Sequence, residues 1–377
     1  MISLSAMLNQ PAADHEVPSG SRRSQGIRVL CDIGHPAQVH LFRNALDELE
    51  RRGHETFVTS REKEVTVPLL DAYGIPHAPL TTRGDSFPEL LGELLLRERR
   101  LLAVARRFDP DVILSRLGPA PAHVSTIVGS RNVVVSDTHV DSRGLRLLYH
   151  TATLPFVDTV CLPPGMDLPV PATKRRPLAF QELAYLHPRY FQPDPEVLRE
   201  KGIEPDQPYF LIRTAGWDAY HDVGHSGLSA DSIRTLVDSL SAHGTVYISA
   251  EGRLPAGLRD HKLPTEPQDI HHVLSYADLY IGDSGTMSTE GAILGTPALR
   301  TNTMVGEDDE PVFRELEAEY GLLQSYADER VAVTEAERLV ANGIDSEKWQ
   351  QRRDRFLREQ PDVTERIVET VIERGET

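Results

Sequence analysis

The residues whose types and spacing suggest chemistry gather just after short apolar runs. In "IGDSGTMSTEGAILG", Ile281 to Gly295, an apolar run ending at Gly282 meets Ser284, Gly285 and Thr286, and Glu290 follows. If the run is a strand and a helix starts at the turn, the unpaired N–H groups and the positive end of the helix dipole favour an anion such as phosphate. Glycine lets a ligand approach the backbone closely. Glu290, about one turn into the helix, could accept hydrogen bonds from the two hydroxyls of a sugar, so the spacing fits a nucleoside diphosphate. The plainer alternative is that Asp283 or Ser284 caps the helix while Glu290 is solvated on its outer face.

Two further loops have similar content. "DIGHPAQVHLF" carries His35 and His40 after the run IRVLCDI, with Pro36 where a first helical turn tolerates it. His35 could take a proton from an acceptor hydroxyl, because an imidazole titrates near working pH, or it could be structural. His40 could point into the interdomain space or pack under the loop. "FLIRTAGWDAYHD" ends a run with Arg213 and continues through Trp217, Asp218, His221 and Asp222. That supplies a cation for phosphates, an aromatic face and a second histidine for developing charge; the alternative is a polar loop packed by Trp217. Glu251, in "SAEGRLP", stands at another run end and could face a nucleobase or solvent. Asp218, His221 and His225 share one loop without the second cluster a metal site needs, so neither a metal nor another cofactor is expected.

The elements that must position these residues follow from the alternation of apolar runs with amphipathic stretches. Strands are expected at Ile27–Ile33, Glu55–Thr59, Asp111–Leu114, Asn132–Val135 and Thr159–Leu162, with helices at Val39–Arg52 and Phe87–Arg107 between them. A second series follows the proline-rich passage Pro163–Pro208, with strands at Tyr209–Arg213, Thr245–Ser249, Leu279–Gly282 and Ala298–Arg300. Its helices are expected at Asp231–Ala242, Asp269–Tyr276, Thr286–Leu294 and Pro311–Tyr320. The order β-α-β-α implies two doubly wound parallel sheets, which bind ligands at the carboxyl ends of their strands and leave a cleft where they face each other. The expected domains are 26–177 and 178–345, preceded by a disordered extension, 1–25, and followed by charged helices over 346–377.

Composition excludes several classes. No run of about 18 apolar residues is present, so no spanning helix is expected, and the first 25 residues lack the pattern of a secretory signal. Cys31 and Cys161 fall in apolar runs, as small buried hydrophobes in a reducing cytoplasm would. Fifty-seven acids oppose 40 bases, and only five of those bases are lysine. An acid excess with lysine nearly absent resembles the habit of salt-accumulating halophilic archaea. At molar salt the Debye length is about 3 Å, which screens the self-repulsion of a net charge of −17. No basic stripe stands out, so nucleic acid is not an expected partner.

"DSGTMSTEGAILGTP" resembles the donor-binding segment of the GT-B superfamily of nucleotide-sugar enzymes, above all the "DSGG-x-x-E-E-A-x-x-x-G-x-P" of UDP-N-acetylglucosamine 2-epimerases. The resemblance implies that Ser284 and Gly285, with Thr286 beside them, hold the diphosphate and Glu290 the ribose. The 2-epimerases also have a histidine in the loop after the strand that Arg213 ends, which implies a role for His221. "HPAQVHLFRNALDELERRGHETFVTSR", "RTAGWDAYHD" and the turn together resemble the archaeal family called domain of unknown function 354, over nearly everything after Gly26. That implies a GT-B-like α/β fold and a nucleotide-sugar partner, a UDP-sugar foremost. The epimerases' "GDT" and "H-x-E-A-G-L-R" segments are replaced here by "SRLGPAPAH" and "SDTHVDSRG", where only Asp137 falls near the second acid. A glycosyltransferase acting on a glycan or polyprenyl-linked acceptor, as for a cell-surface polysaccharide, is therefore the expected activity, cytoplasmic or peripheral at the inner membrane face. A 2-epimerase, or a binding protein without catalysis, is the alternative.

Overall fold

The computed structural model describes residues 26–63, 65–82, 87–136, 143–163, 165–214, 227–250, 252–306 and 309–377. Two parallel sheets, each flanked by helices, make up the α/β fold. The first contains β1 (Arg28–Ile33), β2 (Glu55–Glu62), β3 (His77–Thr82), β4 (Val112–Arg116), β5 (Arg131–Val135), β6 (Thr159–Leu162) and β7 (Arg175–Pro177), in the order β3-β2-β1-β4-β5-β6-β7. The second contains β8 (Tyr209–Thr214), β9 (Thr245–Ala250), β10 (Leu279–Gly282), β11 (Ala298–Thr301) and β12 (Gln324–Tyr326), in the order β12-β11-β10-β8-β9. β3, β7 and β12 were not among the expected strands. Each lies at a sheet edge, and their half-polar sequences HAPLTT, RRP and QSY lack the continuous apolar run of a central strand.

Central strands are apolar because both faces are covered. Leu30, Phe57, Ala78 and Ile113 of the first sheet pack on Leu101, Val104, Ala105 and Phe108 of the helix Phe87–Phe108. Phe210, Ile212, Val246, Ile248, Ile281 and Leu299 of the second pack with Ile233, Leu236 and Leu240 of the helix Ala230–Leu240 and with Ala332, Val333 and Ala336 of Glu329–Asn342. At about 25 cal/mol per Å2 of apolar surface, this burial is the main favourable contribution to each unit. Both cysteines are buried free thiols. Burial pushes Cys161 up to about 12 and Cys31 well above its ordinary value, so neither is a thiolate at neutral pH.

The compact units are residues up to Tyr185 together with Asp362–Thr377, and Leu186–Pro361. The charged tail is thus divided. Its last helix, Val363–Gly375, packs in the first unit, where Thr364 Oγ1 donates to Ala184 O at 2.8 Å and Arg52 reaches Glu365 at 2.6 Å. The helix Ser346–Glu359 stays in the second. Among the described residues no helix is long and apolar enough to cross a membrane. The extension 1–25 lies outside the described residues.

Candidate functional site

Strand order reverses between β1 and β4 in the first sheet and between β8 and β10 in the second. Loops at such points diverge to opposite faces and leave a crevice at the carboxyl ends of the strands. His35 follows β1; Arg213 lies near the end of β8, and the Gly282–Gly285 turn follows β10. His35, Arg213 and the Gly282–Gly285 turn therefore lie at the two reversal points.

In the second unit the helix Gly285–Leu294 begins immediately after the turn, and Ser284 is its N-cap, with Oγ accepting from Met287 N at 3.3 Å. Glycine is needed twice in this turn. A Cβ on Gly282 would lie 2.8 Å from Arg213 O and 2.9 Å from Arg213 Cβ; one on Gly285 would lie 2.8 Å from the Phe313 ring. Gly285 is half-buried and Thr286 exposed, so the first turn, whose amides have no acceptor within the helix, faces outward. The opposite end is tied down: Arg353 Nε donates to Ile293 O at 3.1 Å and Gln350 Nε2 to Gly295 O at 3.4 Å. Asp283 turns away from the helix start, its Oδ2 accepting from Leu228 N at 3.3 Å and its carbonyl from Asn302 Nδ2 at 3.3 Å.

Arg213, Gly282 and Arg300 occupy one register row across β8, β10 and β11. Partners in a parallel row share a face, so the glycine lies between two arginines. Arg213 is half-buried and donates from Nη1 to Ser249 Oγ at 2.9 Å. Tyr280, fully buried, directs its hydroxyl to Ser284 O at 3.5 Å, and burial, with Asp283 and Glu290 nearby, raises its pKa far above the usual phenol value. It is therefore not a phenolate at neutral pH.

Glu290 is not solvated on an outer face. It is 4% exposed, and its Oε1 is 3.1 Å from His271 Nε2, itself 2% exposed on the helix Ile270–Tyr276. The edge of Phe191 stands against the His271 ring. No local signal could have joined His271 to Glu290, 19 residues apart and on different helices. Arg300 was also missed, although an arginine inside the apolar strand ALRT is itself a signal.

In the first unit His35 is the N-cap of Pro36–Arg51, and its Nδ1 accepts from Ala37 N at 3.2 Å. The neutral ring in that arrangement carries its proton on Nε2 and offers a donor. To act as a base through Nε2 it would have to release Ala37. Gly34 N donates to Gln38 Oε1 at 2.7 Å, which closes the same turn. Below it, Asp32 Oδ1 accepts from Thr59 Oγ1 at 2.7 Å and from Arg97 Nη2 at 2.8 Å, all three buried. His40 packs inward, 3.3 Å from the Tyr73 hydroxyl and with its ring centroid 5.3 Å from that of Tyr185. Trp217, Asp218, His221, Asp222, His225, Glu251 and Asp137 lie outside the described residues.

Comparison with known proteins adds the following. Residues 27–375 match the model of the protein family of unknown function DUF354. An uncharacterized protein of Methanocaldococcus jannaschii is 23% identical over 285 residues, covering 72% of this chain and 80% of that protein. Among solved structures, UDP-GlcNAc 2-epimerase from Neisseria meningitidis bound to UDP-GlcNAc is similar with a TM-score of 0.66 at 13% identity, over 92% of this chain and 100% of that one. The UDP-GlcNAc 2-epimerase from Methanocaldococcus jannaschii gives 0.60 at 13% identity, over 91% and 99%. Spinosyn forosaminyltransferase SpnP gives 0.61 at 18% identity, over 94% and 100%. At these identities the likeness carries the GT-B fold, which epimerases and transferases share.

Proposed function

Because the chain belongs to the protein family of unknown function DUF354, whose name specifies no reaction, we infer its activity from the site: a glycosyltransferase-like enzyme that uses a nucleotide-diphosphate sugar. The observation that carries this reading is the outward-facing start of the helix Gly285–Leu294 at the strand-order reversal, just after Gly282, which is in register with Arg213. Amides at a helix start and an adjacent guanidinium are a suitable set for a diphosphate, and they stabilise the charge that builds on it when the sugar leaves.

In this reading Gly285 and Thr286 bind the diphosphate through their amides, with Ser284 shaping the turn as its cap. Arg213 neutralises the phosphates. Glu290 accepts from the ribose hydroxyls, with Oε1 braced by His271 at 3.1 Å. Trp217, His221 and Glu251 are assigned to the donor and its base, and His35 to the acceptor, a glycan or polyprenyl-linked hydroxyl. A UDP-sugar is the donor we favour, since the nucleotide named for the solved relatives is UDP.

The experiment is incubation of the purified protein in high salt with UDP-, GDP- and dTDP-sugars, following nucleotide release with and without acceptor glycans. Acceptor-dependent release is expected from a transferase. Inversion at C2 of UDP-N-acetylglucosamine without any acceptor would replace the transferase reading by the epimerase one. Binding without turnover would leave a nucleotide-sugar-binding protein, and absence of binding to every donor would end the proposal.

A further inference from the structure

Arg300 is 1% exposed and makes one hydrogen bond among the described residues, from Nη2 to Asp309 Oδ1 at 2.7 Å. Its Nε and Nη1 are buried without an acceptor. A guanidinium is a five-donor group, and leaving its N–H groups dry and unpaired is costly enough that such groups in a native fold call for a reason. Part of the cost is offset by the Phe313 ring, whose centroid lies 3.6 Å from the guanidinium carbon.

The same ring touches the helix start. Its Cζ occupies the space a Cβ on Gly285 would need, at 2.8 Å. Phe313 is only half-buried, and it lies in the first turn of a helical run that continues from Pro311–Arg314 into the π-helical stretch Glu315–Tyr320; helix ends are where such a run is least stable. One aromatic side chain therefore covers a buried cation with unused donors and also packs against Gly285 at the head of the helix Gly285–Leu294.

We propose that Arg300 is a second cationic ligand for the diphosphate, uncovered when the Phe313 ring swings off it. The proposal rests on the donor reading above and adds to it a residue and a moving part. With Phe313 displaced, Nε and Nη1 of Arg300 meet phosphate oxygens from one side of Gly282 while Arg213 meets them from the other, and Asp309 keeps Nη2 in place.

The test is calorimetric titration of the full chain in high salt with UDP, with uridine and with inorganic pyrophosphate. Arg300→Met, which keeps much of the buried shape and removes the donors, is expected to weaken UDP about tenfold or more and to leave uridine unchanged. Phe313→Ala, which removes the cover, is expected to tighten UDP and pyrophosphate several-fold. Should Arg300→Met fail to fold because Asp309 loses its partner, Arg300→Met combined with Asp309→Asn takes its place. Equal UDP affinity in wild type and the Arg300 variant overturns the proposal, and so does a Phe313→Ala protein that binds no better than wild type. The two readings can fail separately. A wild type that takes pyrophosphate through Arg300 but no nucleotide keeps the anion site and loses the donor assignment, whereas a wild type that binds neither loses both.

Discussion

The carboxyl ends of the two sheets share a strand-order reversal and have opposite polar economies. After β1, the polar groups answer one another: His35 takes the Ala37 amide, Gln38 takes the Gly34 amide, and Asp32 is held by Thr59 and Arg97. After β10, the amides of Gly285 and Thr286 head an outward-facing turn beside Arg213, and Arg300 keeps donors in reserve. Strand reversal creates a crevice in both units. What decides whether it grips an anion is how many donors the fold itself has already used.

Four substitutions would break or sharpen that contrast. Asp32→Ala is expected to cost most, about 3–5 kcal/mol in a denaturant titration, because it leaves the buried Arg97 uncompensated. Nucleotide affinity of the folded protein should not change. If it did, the first network would belong to the donor site rather than to the scaffold.

Gly282→Ala comes next, at about 1–3 kcal/mol of overpacking, since the new methyl would press on Arg213 backbone and Cβ. Unlike Asp32→Ala, it should also abolish nucleotide binding. A protein that loses stability while keeping full affinity would place the anion elsewhere.

Glu290→Gln is a subtler probe. Truncation to alanine would strip His271 of its buried partner and confuse folding with binding, whereas glutamine keeps a hydrogen-bond acceptor for His271. About a tenfold rise in nucleotide Kd is expected, with the unfolding midpoint nearly unchanged. An unaltered Kd would leave Glu290 as a purely internal partner of His271.

His35→Ala should do least. Loss of the N-cap bond to Ala37 is expected to cost about 1 kcal/mol, with the nucleotide Kd close to wild type. A fall in turnover of about a hundredfold or more, the contribution of a general base, would mean that the ring gives up its capping role during reaction.

The helix ends and the turn were legible in the residues because their causes are local. Phe87 starts its helix as expected, Thr159–Leu162 and Leu279–Gly282 are strands at the expected residues, and the helix that Ser284 caps starts at Gly285, one position before the expected Thr286. The proline-rich passage was harder. A strand and two short helices, Leu183–Leu186 and Pro195–Glu200, interrupt it, and the unit boundary falls at Tyr185/Leu186 rather than near residue 177. Short edge elements carry little periodicity of their own, so only their neighbours identify them.

The sequence by itself determined where nine of the twelve described strands lie, which turn lacks side chains at Gly282 and Gly285, and which chemical groups stand near it. Each of these depends on interactions within a few residues, through glycine's missing Cβ, the unpaired amides at a helix start, and the spacing of apolar positions. The tertiary structure alone decided the strand order, the pairing of Glu290 with His271, and the burial of Arg300 under Phe313. Those depend on contacts between elements far apart in the chain, where burial fixes which polar groups must satisfy each other and which are left for a ligand.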